Sequence, residues 1–171
     1  MITQKRIMVD MSAALIHHGH IRLLKKSSEY GTVVIGLTTD DEIISKKGYQ
    51  PELDFEYRKE ILESIIYVDE VVPVPWLLDE EVLAKYNIDL LVHGSDNSNL
   101  ILDSKLKIFP RTEGISSSDI RQNVLQSITQ INNQKMMPFH LRQFFYGLSV
   151  RENRNGYLKF IKIFLPHILK I

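Results

Sequence analysis

Short apolar runs alternate along this chain with segments of helical spacing, and that alternation leaves few architectures open. Arg6-Ile7-Met8-Val9-Asp10 reads as a buried strand running into the small residues Ser12-Ala13-Ala14. A helix is expected from Ile21 to about Tyr30, with Ile21, Leu23 and Leu24 on its apolar side and Gly31 as its stop. Thr32-Val33-Val34-Ile35-Gly36-Leu37 is β-branched and nearly all apolar, as strands covered on both faces of a parallel sheet are. The first 37 residues therefore read as one βαβ unit.

The same rhythm continues. A helix is expected from about Phe55 to Ile66, a strand over Glu70–Val74 and a helix around Glu80 to Tyr86. Then come a strand over Asp89–His93, a short strand near Lys107–Phe109 and a helix starting at Ser116 or Ser117. Strand and helix in regular turn predict an α/β fold, a Rossmann-like doubly wound parallel sheet. Such sheets bind ligands beyond the carboxyl ends of their strands, where the strand order reverses. The polar clusters His17 to His20 and His93 to Asn97 both fall just after expected strands.

Length and charge set the organisation. At 171 residues the chain suits one domain with an appendage. Residues 126–171 carry seven Lys/Arg against one acidic residue, Glu152, although the whole chain balances 21 basic with 21 acidic residues. That asymmetry places a boundary between a domain over residues 1–125 and a C-terminal helical extension over 126–171. From Lys135 on, Phe139, Phe144, Phe145, Tyr146, Tyr157, Phe160, Ile161, Phe164 and Leu165 are spaced as in two amphipathic helices. Their apolar faces suit folding back on the core, a dimer contact or a membrane surface.

Zero net charge supplies no general drive toward nucleic acid, and no basic patch sits on a recognised nucleic-acid-binding fold. Cysteine is absent, which excludes disulfides and cysteine-ligated zinc. No segment approaches the ~20 apolar residues that span a bilayer, and the start has no secretory pattern. A soluble, cytoplasmic protein is the expectation.

Two segments carry chemistry. His17 and His20 are three apart across Gly19 at an expected helix start, so both imidazoles can lie on one side of the first turn. Free N–H groups and positive potential there suit phosphate oxygens, and the imidazoles can donate to charge building on a transferring phosphorus. Further on, Arg111-Thr112-Glu113-Gly114-Ile115-Ser116-Ser117-Ser118 sets an Arg and several hydroxyls around a second helix start. That arrangement serves equally as a plain N-cap, with Ser116 or Ser117 capping and Asp119 in the first turn, and as an anion site.

With both segments in view, the chain resembles the cytidylyltransferases of the nucleotidyltransferase superfamily. His17-His18-Gly19-His20 is similar to that superfamily's His-x-Gly-His signature, and Arg111 to Ser117 to the Arg-Thr-Glu-Gly-Ile-Ser-Ser/Thr signature of its cytidylyltransferases. Tyr57-Arg58-Lys59, Tyr67 to Val71, and Asn87-Ile88-Asp89 leading to His93-Gly94-Ser95-Asp96 extend the likeness over residues 6–125. The family includes glycerol-3-phosphate, ethanolamine-phosphate and choline-phosphate cytidylyltransferases. The resemblance implies transfer of CMP from CTP to a small phosphorylated alcohol or a phosphonate, with release of pyrophosphate.

It further implies that His17 and His20 contact the CTP phosphates and stabilise the transition state. Arg111, Thr112, Ser116 and Ser117 would hold the triphosphate, with Ser12, Gly19 and Ile115 also lining the nucleotide. Asp96 would help read the cytosine and ribose, and Lys46, or else Lys47, would approach from the loop after the second strand. Such chemistry needs no protein nucleophile, because the attacking phosphate or phosphonate oxygen is already anionic. Mg²⁺ is inferred from the nucleotide alone, with no protein metal ligands expected, and a homodimer from the family and the apolar tail.

The first turn departs from the commonest pattern. Met11-Ser12-Ala13-Ala14 stands where glycerol-phosphate and choline-phosphate members carry Gly-Thr-Phe-Asp. The stretch Met11 to His20 is closer to phosphonate-associated cytidylyltransferase domains. Ser95 replaces the first of two acidic residues that some relatives carry after the glycine. An adenylyltransferase of the same superfamily, and a nucleotide-binding module without turnover, are the competing readings.

Overall fold

The computed structural model describes residues 4–136. Two compact units, residues 1–120 and 121–171, divide the chain, and each is described by itself. The amphipathic segments expected beyond Lys135 lie outside the described residues, apart from the end of one helix.

In chain order the first unit comprises β1 (Arg6–Met11), α1 (His18–Ser28), β2 (Thr32–Thr38), α2 (Asp40–Lys47), α3 (Phe55–Glu63), β3 (Glu70–Val74), α4 (Glu80–Lys85), β4 (Leu90–Gly94) and β5 (Leu106–Phe109). A 3₁₀ turn, Asp103–Lys105, precedes β5, and α5 (Ser117–Met136) begins in this unit and continues into the second. Within the second unit, Val124, Leu125, Ile128 and Ile131 are exposed on α5.

All strand pairs are parallel, in the order β3-β2-β1-β4-β5. The chain winds outward from β1 to β3, returns to the other side of β1 for β4, and continues to β5. The order thus reverses between β1 and β4, which opens the crevice used by ligands in such sheets. This is the doubly wound sheet that the alternation predicts.

Burial follows the two-residue period of a strand. Ile7 and Val9 join Val33, Ile35, Leu37, Val71 and Val92 on one face, covered by Leu24 of α1 and Leu62 of α3. Met8, Val34, Val72 and Leu91 face the other way, against Leu78, Leu83, Ile88 and Ile101. Both faces are dry, which is why these strands read as continuous apolar runs.

Helix assignments differ from expectation in three places, the simplest being α3, which ends at Glu63 rather than near Ile66. The first helix starts at His18 rather than Ile21, because the His17 side chain caps it. The expected loop after β2, with Lys46 and Lys47, is instead the helix α2. Only Ile43 of that helix is buried, so it carries little hydrophobic period. Its stability comes from polarity along the axis, with Asp40, Asp41 and Glu42 in the first turn and Lys46 and Lys47 in the last.

Gly31 joins α1 to β2 at a close backbone approach. A Cβ there would lie 2.0 Å from the carbonyl oxygen of Lys5, which accepts the Thr32 N–H that starts the β1–β2 ladder. Gly31→Ala is expected to destabilise the domain by roughly 1–3 kcal/mol, the cost of overpacking a site that cannot relax. Urea denaturation measures it, and an unchanged midpoint would contradict the clash.

Candidate functional site

The His17-x-Gly-His20 turn is built by its own side chains. His17 is the N-cap of α1: its Nδ1 accepts from the backbone N–H of Gly19 at 3.1 Å, and its own N–H donates to Nδ1 of His20 at 3.3 Å. An imidazole thus fills the place usually taken by Ser or Asp, in a reciprocal capping box. The two rings lie 4.0 Å apart between centroids. A Cβ on Gly19 would come within 2.9 Å of the His17 ring, so the glycine leaves the space that the ring needs.

This bonding sets the chemistry of both rings. Each Nδ1 accepts a backbone proton, so each neutral imidazole carries its proton on Nε2 and presents a donor there. Burial, then His17, then the Arg111 charge lower the His20 pKa to about 4. Burial, then His18 and Arg111, also lower that of His17. Near neutral pH the pair therefore supplies two uncharged N–H donors at a helix N-terminus.

The Arg111 to Ser118 segment closes on this turn. The Ser117 hydroxyl donates to the carbonyl oxygen of Leu15 at 3.3 Å, which ties the start of α5 to the loop ahead of α1. Ile115 Cγ2 lies 3.5 Å from where a Cβ on Gly19 would stand. Ser116 caps α5, its Oγ accepting from Asp119 N at 3.1 Å and donating to Asp119 Oδ2 at 2.7 Å. Arg111 Nη1 donates to Asp96 Oδ2 at 3.1 Å, so these two candidate residues meet as an exposed ion pair. Thr112 and Arg111 also line an open groove of about 580 Å³ with Arg22, Lys25 and Lys26 of α1.

Ser12 lies on the other flank. Its hydroxyl accepts from Lys47 Nζ at 3.3 Å, and the same ammonium stands 5.1 Å from the centre of the Trp76 ring. Lys46, on the same last turn of α2, is exposed. Among the two lysines it is Lys47 that reaches the first turn. Ala14, where part of the family has an acid, is buried.

Three participants were given no role by the motif reading. Arg58 is fully buried and donates to the carbonyl oxygens of Ser12, Thr38 and Leu53 and to Asp40, stitching the ends of β1 and β2 together. Asp10, at the end of β1, has Oδ2 at 3.0 Å from Asn99 Nδ2 and 3.5 Å from His93 Nε2. Its Oδ1 is buried with no hydrogen-bond partner among the described residues. Burial pushes the Asp10 carboxyl above its usual range, against the opposing pull of His93 and Asn99. The Tyr57-Arg58-Lys59 and His93 to Asp96 stretches hinted at Arg58 and His93; Asp10 has no local signal beyond lying at a strand end.

Among the described residues no cluster of three or more His, Asp or Glu side chains could hold a metal ion, and no helix is long and apolar enough to cross a membrane.

Comparison with known proteins identifies the family. The family model described as cytidylyltransferase-like matches residues 14–123. The chain is 38% identical over 128 residues to glycerol-3-phosphate cytidylyltransferase of Staphylococcus aureus, covering 70% of this chain and 95% of that protein. The Bacillus subtilis protein of the same name is 33% identical, with 70% and 97% covered. Ethanolamine-phosphate cytidylyltransferase of Dictyostelium discoideum is 32% identical over 67% of this chain and 35% of that longer protein. In fold, the chain is similar to a solved lipopolysaccharide core biosynthesis protein from Thermoplasma volcanium, with a TM-score of 0.53 at 20% identity over 64% of this chain and 97% of that one. A match across most of the sheet and both signature turns leaves no doubt of kinship: the chain belongs to the cytidylyltransferase-like family of nucleotidyltransferase enzymes.

Proposed function

We propose that the enzyme transfers CMP from CTP to a small phosphorylated alcohol or a phosphonate and releases pyrophosphate. The observation that carries this reading is the bond from Ser117 to Leu15, which joins the two signature turns into one cradle. His17, His20 and Arg111 thereby stand around the same space, and Lys47 approaches from the far side through Ser12.

In this reaction an anionic oxygen of the acceptor forms a bond to the α-phosphorus of CTP, and the bond from that phosphorus to the β-phosphate bridging oxygen breaks. The electron pair leaves with pyrophosphate. The Nε2–H donors of His17 and His20, the N-terminus of α1 and the Arg111 guanidinium bind the triphosphate and meet the charge that develops on it. Lys47 is placed to hold the acceptor anion or the α-phosphate, and Asp96 to contact the ribose or base. Cationic and neutral donors dominate this cradle and offer Mg²⁺ no protein ligand, so any such ion would come with the nucleotide and be held by its phosphate oxygens and water. Bound there, it would neutralise phosphate charge. A cytoplasmic homodimer is the assembly proposed with this activity.

The test supplies CTP and ATP separately with glycerol-3-phosphate, ethanolamine-phosphate and a panel of phosphonates, and follows pyrophosphate release. CTP-dependent release with at least one acceptor is expected. Release with ATP but not CTP would reassign the enzyme to adenylyl transfer. Tight CTP binding with no product from any acceptor would favour a binding module without turnover.

A further inference from the structure

We propose that Asp10 and His93 are positioning residues that hold the Gly94–Asp96 turn, and through it the Asp96–Arg111 pair, in the geometry that receives the nucleotide; the inference rests on the CTP reading above.

The two residues stand at the ends of the strands that flank the reversal of strand order, Asp10 on β1 and His93 on β4. His93 Nδ1 lies 3.0 Å from the carbonyl oxygen of Gly94, and only a protonated Nδ1 is attracted to a carbonyl. Its Nε2 then faces Asp10 Oδ2 at 3.5 Å. The imidazole thus stands between the Asp10 carboxylate on β1 and the turn that follows β4.

From that turn the connections run outward. His93 Nδ1 is 3.9 Å from Asp96 Oδ1, and Asp96 Oδ2 accepts from Arg111. On the other side, Asn99 donates from Nδ2 to Asp10 Oδ2 and to Asn97 Oδ1, each at 3.0 Å, and its own Oδ1 accepts the Leu78 N–H at 2.8 Å. The loop from Gly94 to Asn99 is thus pinned at both ends to one carboxylate. Arg111 is exposed and among the described residues has no such buried anchor of its own, so its placement depends on Asp96. Asp10 Oδ1 is buried without a hydrogen-bond partner among the described residues, which is costly for stability and points to a role in the site.

Calorimetry with CTP and steady-state kinetics on Asp10→Ala, Asp10→Asn, His93→Ala, Asp96→Ala and the Asp10→Ala/Asp96→Ala double variant test this. Asp10→Ala and His93→Ala are expected to weaken CTP binding and raise the KM for CTP roughly tenfold, the effect of losing a hydrogen bond or two, with kcat nearly unchanged. Asp10→Asn keeps a carbonyl oxygen that can accept from Asn99 and face His93, and should recover most of the loss. In the double variant, Asp10→Ala should add little to Asp96→Ala, because both act through one turn. Full additivity would overturn the proposal. So would Asp10→Ala and Asp10→Asn that equally raise the KM for the acceptor alone, since that pattern means direct contact with the acceptor. Should Asp10→Ala fail to fold, His93→Ala at a partly exposed position decides the same question. Wild-type protein that binds no CTP would overturn both readings together, whereas wild-type binding with unaltered variants overturns this one alone.

Discussion

Replacing Arg58 with alanine is expected to cost roughly 3–5 kcal/mol of folding stability, because it leaves the partners of a buried charge unpaired. That is a large share of the ~5–15 kcal/mol that holds an ordinary domain together. The guanidinium has no exposed surface and spends its donors on Leu53, Ser12, Thr38 and Asp40. Removing it strands three carbonyl oxygens and leaves the Asp40 carboxylate, 22% exposed, without its cation. Lysine would keep the charge but not the fork that reaches several acceptors, so Arg58→Lys should fall between wild type and alanine. Activity should fall with stability, because the Ser12 carbonyl held by Arg58 belongs to the turn that receives Lys47. Urea denaturation with CTP-dependent turnover is the measurement, and an Arg58→Ala protein with a wild-type midpoint would refute this account.

The second large effect is expected at His20. His20→Ala should lower kcat roughly 10²–10³-fold, the usual loss on removing a donor aimed at developing charge. Its KM for CTP should change less, because Arg111 and the helix N-terminus remain. His17→Ala should do comparable damage, compounded by loss of the cap on α1. An asparagine at position 20 can accept the His17 N–H and still donate, so His20→Asn should retain part of the activity.

The sign of the titration sharpens this. His20 takes its proton in the folded protein only near pH 4, whereas an unfolded histidine does so near 6.5. The unfolded chain therefore binds more protons between those values, and the contribution of His20 to stability is complete above pH 6.5 and declines as pH falls toward 4. If the uncharged ring is the working donor, kcat should show no loss from His20 as pH rises from 6.5 to 8. A kcat that tracked a protonated histidine across that range would contradict the role given to it.

Much of this protein is written in short-range patterns. The apolar runs at Ile7–Val9, Val33–Leu37 and Leu90–Val92 report strands buried on both faces, because the two-residue period sends neighbours to opposite dry layers. The His17 to His20 and Arg111 to Ser117 turns are readable because a helix N-terminus draws its capping residues from a few neighbouring positions. The α2 helix was illegible for the complementary reason: with one buried residue it has charge polarity but almost no hydrophobic period. Likewise α1 begins earlier than propensity suggests, since His and Gly are poor helix starters until the imidazole acts as its own cap.

What chain order could not convey is which strand ends become neighbours. Asp10 meets Asn99 across 89 positions and Arg58 meets Ser12 across 46, and no local spacing encodes either encounter. That Lys47 rather than Lys46 reaches Ser12 is of the same kind, because adjacent residues on a helix point about 100° apart and the packed position of α2 sets which one faces that turn. Sequence alone determined the alternation of elements and the chemistry of the two signature turns, since backbone period and capping act over a few residues. Tertiary structure decided how the sheet reverses beside β1, and with it the buried acid, histidine and arginine that brace the site, because long-range polar contacts exist only after the strands have found their order.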